Sequence, residues 1–193
     1  TRAVAEAASL RPTGEAKINP ARALAEERAL FTSGIINPAS HLWDRLAAKC
    51  QPLGDFADVN FGKQLRDRKK FLRDVIEVTS RNAIPRTHVA CVTGKDVEPY
   101  LLTWSKLACL NDTVAQSGGC WDETKHEANG KLLTRQIGRF PSFAFDDFGY
   151  HCLNTIFMVT VREPKQVRPK YLRGILNSKL LRALWTGRFY DQR

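Results

Sequence analysis

The sequence predicts an α+β fold: a twisted, mostly antiparallel sheet or partly open barrel flanked by helices, with an N-terminal helical extension. Three observations carry this. After residue 50, short alternating or continuous apolar runs recur between Gly, Pro, Asn and Asp, the punctuation of strands joined by turns. One stretch near the C-terminus keeps a helical period instead. The first 50 residues carry only helical signals, so the chain divides into an extension, 1–50, and a domain, 51–193.

In the extension, Ala3 to Leu10 is alanine-rich, and Asn19-Pro20 opens a helix to Phe31 with a cap and a first-turn proline. Asn37-Pro38 repeats that signal before His41 to Ala47, where Leu42, Trp43 and Leu46 share a face. Leu53 to Phe61 alternates as a half-buried strand does and ends at Gly62. Arg66 to Val78 reads as a helix or a long charged loop. Val89 to Val92 and Leu101 to Trp104 read as strands, and Asn111 to Gly130 as an exposed loop. Leu132 to Ile137 is the next strand. Phe143 to Phe145 leads through the turn Asp146-Asp147-Phe148-Gly149 into Tyr150 to Leu153. Ile156 to Val161 is continuous in apolar residues, as a strand buried on both faces should be. A last helix runs from about Lys170 to Trp185, with Leu172, Ile175, Leu176, Leu180, Ala183 and Leu184 on one stripe.

Thirty Lys and Arg against 20 acidic residues give a net charge of +10 and a pI near 9.6, the electrostatic footprint of a nucleic-acid binder. With 43% hydrophobic residues, a core can be buried. Five cysteines without paired spacing argue against a disulfide framework and for a reducing, cytoplasmic setting. Cys109, Cys120 and His126 read as ordinary side chains rather than metal ligands, since no Cys-x-x-Cys anchors them. No apolar run is long enough to span a membrane, and no stretch reads as a signal peptide. A start at Thr1 reads as a piece of a longer protein.

The order of motifs from 131 onward is more specific than any one of them. It runs Lys131 to Gly138, then Ala144-Phe145-Asp146-Asp147-Phe148-Gly149, then Leu153-Asn154-Thr155 into the apolar strand, then Leu176-Asn177-Ser178-Lys179 within the helix. This order resembles the TaqI-like C-terminal specificity domain, the target-recognition part of N6-adenine DNA methyltransferases and of restriction enzymes with a fused methylase. The resemblance extends over about residues 50–185. It implies sequence-specific recognition of double-stranded DNA, with a methyltransferase domain in cis on the N-terminal side.

Within that expectation the cations take roles. Lys63, Arg66, Arg68, Lys69, Lys70 and Arg73 repel one another unless something neutralises them, and a phosphate backbone does so while releasing counterions. In the resembling domains a DNA-facing loop follows the first strand, which adds Gln64 as a reader of an adenine edge. Arg135, Gln136 and Arg139 surround Gly138 in the family's Arg-Gln-x-Gly pattern and suit guanine and adenine edges, unless Arg135 pairs with Asp146 or Asp147. Phe140, before Pro141, is placed to reach a groove or a base step. Lys95 belongs to a Thr93-to-Tyr100 segment resembling the family's Gly-x-Asp-Ile stretch, whose acidic residues read as anchors. Lys165, Arg168, Lys170 and Lys179, around the last helix, are expected to position phosphates.

No catalytic centre is expected in this fragment. Asn19-Pro20-Ala21 and Asn37-Pro38-Ala39 carry only the start of an Asn-Pro-Pro-Tyr motif, and there is no Gly-x-Gly. Asp146 and Asp147 read as turn formers rather than metal ligands. The resemblance assigns S-adenosylmethionine to the parent protein, and magnesium where a nuclease accompanies it; no cofactor or metal is expected here. The alternatives are a specificity module of a type I restriction system, the recognition domain of a phage-defence methylase, and an RNA-binding module.

Overall fold

The structure, a computed structural model, describes residues 45–138 and 140–188. The helices expected before residue 45 lie outside the described residues, as does Arg139; of the helix expected over His41 to Ala47, residues 45–47 are described and are helical.

Twelve strands and three α-helices follow in chain order among the described residues. The first are β1 (Ala57–Phe61), β2 (Gln64–Leu65), β3 (Val75–Glu77), β4 (His88–Val92), β5 (Val97–Glu98), β6 (Leu101–Leu102), β7 (Leu107–Leu110) and β8 (Gln116–Gly118). Then come helix α1 (Glu123–Glu127), strands β9 (Lys131–Arg135), β10 (Phe143–Asp146), β11 (His151–Cys152) and β12 (Ile156–Val161), and helices α2 (Pro169–Leu176) and α3 (Lys179–Arg188). They build two four-stranded sheets, in the orders β1-β12-β9-β10 and β11-β4-β7-β3. The first is antiparallel throughout; in the second, β11 runs parallel to β4. The class is α+β, and the sheets are open rather than closed into a barrel.

The apolar run of β12 is explained by what covers its two faces. Ile156 and Met158 point into a core with Leu133, Ala144, Val92, Val97 and Tyr150, shared with the second sheet. Val159 and Val161 point the other way, with Leu132 and Phe143, against Leu172 of α2. The first sheet is therefore the middle layer, and β12 alternates between two cores rather than between core and solvent. Leu133 and Met158 are fully buried, so truncating either to Ala would cost about 2–5 kcal/mol.

The turn after β10 passes the chain from one sheet to the other rather than closing a hairpin. Asp146, fully buried, accepts hydrogen bonds from the N–H groups of Phe148 (2.9 Å) and Tyr150 (3.0 Å). It also holds the Lys131 ammonium at 2.5 Å, with both side chains sealed from water. Lys131 donates as well to the His126 carbonyl.

Several expectations are corrected. Residues 66–78 form neither a helix nor one long loop: turns lead into β3, which pairs with β7. β7 itself was not expected, because Ala108 and Cys109 at its centre carry little apolar signal, yet both are fully buried. Residues 111–130 contain β8 and α1 besides loop, and His126 is fully buried. The third strand stops at Leu102. The last helix is two helices broken at Asn177-Ser178, and of its stripe Leu172 and Leu184 are buried whereas Ile175 and Leu180 are exposed.

Candidate nucleic-acid interface

Register places several loops at one end of the first sheet. β1 finishes at Phe61 opposite Phe157, β9 finishes at Arg135 opposite Ile156, and β10 starts at Phe143 opposite Thr134. Segments 62–64, 136–138, 140–142 and 153–155 therefore leave that end together. Hydrogen bonds knit them. Gly62 N–H donates to the Ile156 carbonyl (3.0 Å), Lys63 N–H to Cys152 (2.7 Å) and Gln136 N–H to Thr155 (2.8 Å). The Thr155 hydroxyl accepts from Gly94 N–H at 2.8 Å, which brings the 94–96 turn to the same end. A Cβ on Gly62 would lie 2.2 Å from the Leu153 carbonyl oxygen, so only glycine permits this approach. The Asp96 carboxylate fixes the 94–96 turn by accepting from Thr93 N–H and Oγ1, and from Ser105 N–H. This is the anchoring role expected of that acidic segment.

The side chains expected to read bases divide. Gln64 and Gln136 are exposed at this end, as are Lys95 and Lys179. Lys179 is carried there because Asn177 hydrogen-bonds the backbone of Phe143, where α2 hands over to α3. Phe140 is half-buried, with the Arg182 guanidinium 3.4 Å over its ring. Arg135 is held by acceptors of β5: its Nε donates to the Val97 carbonyl at 2.6 Å and Nη2 pairs with Glu98. The acidic partner is thus Glu98, not Asp146, which Lys131 occupies.

Two of the cations expected on phosphates are committed within the protein. Lys63 is fully buried, its ammonium 2.5 Å from Asn111 Oδ1 and 4.7 Å over the Trp121 ring. Burial lowers its pKa, and in this conformation it cannot meet a phosphate. The sequence gives no sign of this, since Asn111 lies 48 residues away. Arg66 grips the buried Asp74 with both Nε (2.8 Å) and Nη2 (3.0 Å), and that hydrogen bonding raises its pKa.

Arg73 and the cations around the start of α2 do not share the end of Gln64 and Gln136. Arg68, Lys69, Lys70 and Arg73 are exposed on the loop before β3. The Arg73 carbonyl meets His88 Nε2 (2.9 Å) where β4 begins, whereas Gly94 follows the end of β4. A five-residue strand separates them, about 17 Å. Lys165, Arg168 and Lys170 are exposed around the start of α2, beyond the end of β12 and so at the opposite end of the first sheet. Arg168 caps α2 without a side-chain hydrogen bond. Cations at a helix start oppose its dipole, a conflict an anion relieves.

His126 spends both ring nitrogens on the fold: Nε2 meets the Cys120 carbonyl (2.8 Å) and Nδ1 accepts from Cys152 N–H (3.0 Å). No group of three or more His, Cys, Asp or Glu side chains among the described residues is arranged to hold a metal. No helix among them is long and apolar enough to cross a membrane. Asn177, Thr155 and Glu98 shape this end of the molecule through contacts 34, 61 and 37 residues away in sequence, separations no local pattern encodes.

No curated protein matches the chain. A family model, the TaqI-like C-terminal specificity domain, matches residues 89–193, more than half of the chain. The match takes in β4 to α3, hence three strands of each four-stranded sheet, while β1 and β3 complete the sheets from residues before it. The chain belongs to the TaqI-like C-terminal specificity domain family.

Proposed function

We propose that this domain recognises a specific sequence in double-stranded DNA as the C-terminal target-recognition part of an N6-adenine DNA methyltransferase or a combined restriction-modification enzyme. One observation carries the reading: segments 62–64, 94–96, 136–138, 140–142 and 153–155 meet at one end of the first sheet, with exposed glutamines and lysines on a rigid base. Gln64 and Gln136 are the base readers, since an amide can donate and accept at an adenine edge. Lys95 and Lys179 beside them hold phosphates and set register. Arg139, in the same segment as Gln136, is a further reader. Arg135 positions that segment through β5 and becomes a reader only by leaving Glu98. The outlying Arg68–Arg73 and Lys165–Lys170 clusters contact backbone at greater distance along a duplex.

A preceding domain in cis would supply S-adenosylmethionine binding and methyl transfer to adenine N6. The alternative reading, a specificity module serving a type I system, calls for two copies of this domain joined by long helices in the whole protein. The test is duplex binding across a salt series. Affinity should fall linearly with log salt, and duplex RNA should compete poorly at equal salt because its major groove is closed to side chains. A salt-insensitive affinity, or equal competition by RNA, contradicts the reading.

A further inference from the structure

The far end of the second sheet holds a cleft that the sequence-reading role does not use. Its volume is about 290 Å³, and Phe148, Tyr150, His151, Glu127, His88 and Arg81 help to line it. Arg81 lies 4.5 Å over the Tyr150 ring and 5.2 Å over Phe148, and makes no ion pair among the described residues. Phe148 is 64% exposed, an unusual setting for a large aromatic on a turn that Asp146 holds so firmly. His151 forms the wall. It is 2% exposed, yet neither ring nitrogen has a hydrogen-bond partner. The nearest acceptor, Glu127 Oε1, is 3.7 Å from Nε2, beyond hydrogen-bond range. Burial and nearby lysines keep the imidazole neutral, so one nitrogen donates and the other accepts.

These groups specify a ligand by chemistry. Planar faces ask for a flat aromatic ring. An unpartnered imidazole nitrogen asks for one complementary group on a ring edge, and the exposed Glu127 carboxylate for an exocyclic amine. Around the cleft, Arg73, Arg81 and Arg86 are exposed, and Arg73 is tied by its carbonyl to His88 of the lining. A cationic surround asks for phosphate. A nucleotide meets all four requirements.

We propose that this cleft is a second nucleic-acid subsite, which takes an unstacked, amine-bearing base of bound DNA on the exposed face of Phe148, whose other side is closed by Tyr150 and Arg81. The Arg68–Arg73 cluster, whose Arg73 end is tied to His88 of the lining, then holds the backbone leading to that base. The inference rests on the proposed DNA-binding role but concerns a different end of the molecule, so the two can fail separately.

The test compares a continuous 20-base-pair duplex with the same duplex carrying one extra, bulged adenine, using the full chain at low salt. The bulged duplex should bind about tenfold tighter, the gain expected from stacking one base on an aromatic side chain. A bulged 2-aminopurine should lose fluorescence on binding. Phe148→Ala, at an exposed position, should abolish both effects while continuous-duplex affinity stays within about twofold. Glu127→Ala should erase a preference for bulged adenine over bulged thymine and leave the quench. Equal affinity for both duplexes without quenching overturns the subsite and leaves the duplex reading intact. Binding and quenching with the bulged duplex alone would uphold the subsite and overturn the duplex reading; binding to neither overturns both.

Discussion

Asn177 pairs with the backbone of Phe143 as a neighbouring strand would: its side-chain amide donates to the Phe143 carbonyl at 2.7 Å and accepts from the Phe143 N–H at 2.9 Å. Phe143 opens β10, an edge of the first sheet, so a helix-terminal side chain covers backbone groups that no strand pairs there. The contact falls where α2 hands over to α3, just before Lys179.

Asn177→Leu should therefore destabilise the domain by about 1–3 kcal/mol, since it leaves the Phe143 N–H without a partner, while the carbonyl keeps only the Tyr100 N–H at 3.0 Å. Urea denaturation measures this, and amide exchange should show Phe143 losing protection before β12 does.

Asp146→Ala should be costlier, about 3–5 kcal/mol, because Lys131 would be left sealed from water without its carboxylate partner. The double change Lys131→Met with Asp146→Ala should cost less than the sum of the single changes. A thermodynamic cycle from urea midpoints checks this; strict additivity would contradict the pairing.

Stability should fall in mild acid for a reason that can be assigned. His126 and His151 stack with ring centroids 4.9 Å apart, and burial pushes their pKa values down to about 4 and about 3. The unfolded chain takes up protons near pH 6.5, as ordinary histidines do. Between there and pH 4 the unfolded state thus binds more protons, and stability declines as pH drops, by up to about 1.4 kcal/mol per unit for each histidine. Above pH 7 neither contributes a slope. His151→Phe should roughly halve the decline between pH 6.5 and 5, as read from urea midpoints across pH.

Gly119→Ala should disturb the end that carries Gln64. Its backbone has φ +73°, and a Cβ would lie 2.1 Å from the Gly62 carbonyl oxygen. Strain and clash together should cost more than about 2 kcal/mol, measurable by thermal unfolding. Gly54→Ala, where nothing lies within 4 Å, should be nearly neutral.

Where the fold was legible, the signal was local. Ile156 to Val161 announced a strand covered on both faces because its neighbours on both sides are apolar layers. The Asp-rich turn after Phe145 was visible, but its destination was not, since β11 finds β4 in another sheet. β7 stayed hidden because its central residues are small, and Cys109 is buried by residues remote in sequence, Leu153 among them. The site was legible as residue types but not as places. Gln64 and Gln136 emerge at one end as their neighbouring glycines suggested. Lys63 reads as one more surface cation until Asn111 and Trp121 close over it. Arg135 reads as free, or as a partner of Asp146 or Asp147, until β5 brings Glu98 alongside. In each case the deciding partner is remote in sequence, so charge spacing alone cannot separate a phosphate contact from a structural tie.

In the proposed role, sequence is read at the end of the first sheet bearing Gln64 and Gln136. The decisive experiment is selection of bound duplexes from a random pool. Gln136→Ala and Gln64→Ala should each relax preference at one or two base positions, a loss of about 1–3 kcal/mol of discrimination. Lys69→Ala and Lys170→Ala should weaken all duplexes alike. If both glutamine variants select the same sequences as the parent chain, with undiminished preference, the claim is contradicted.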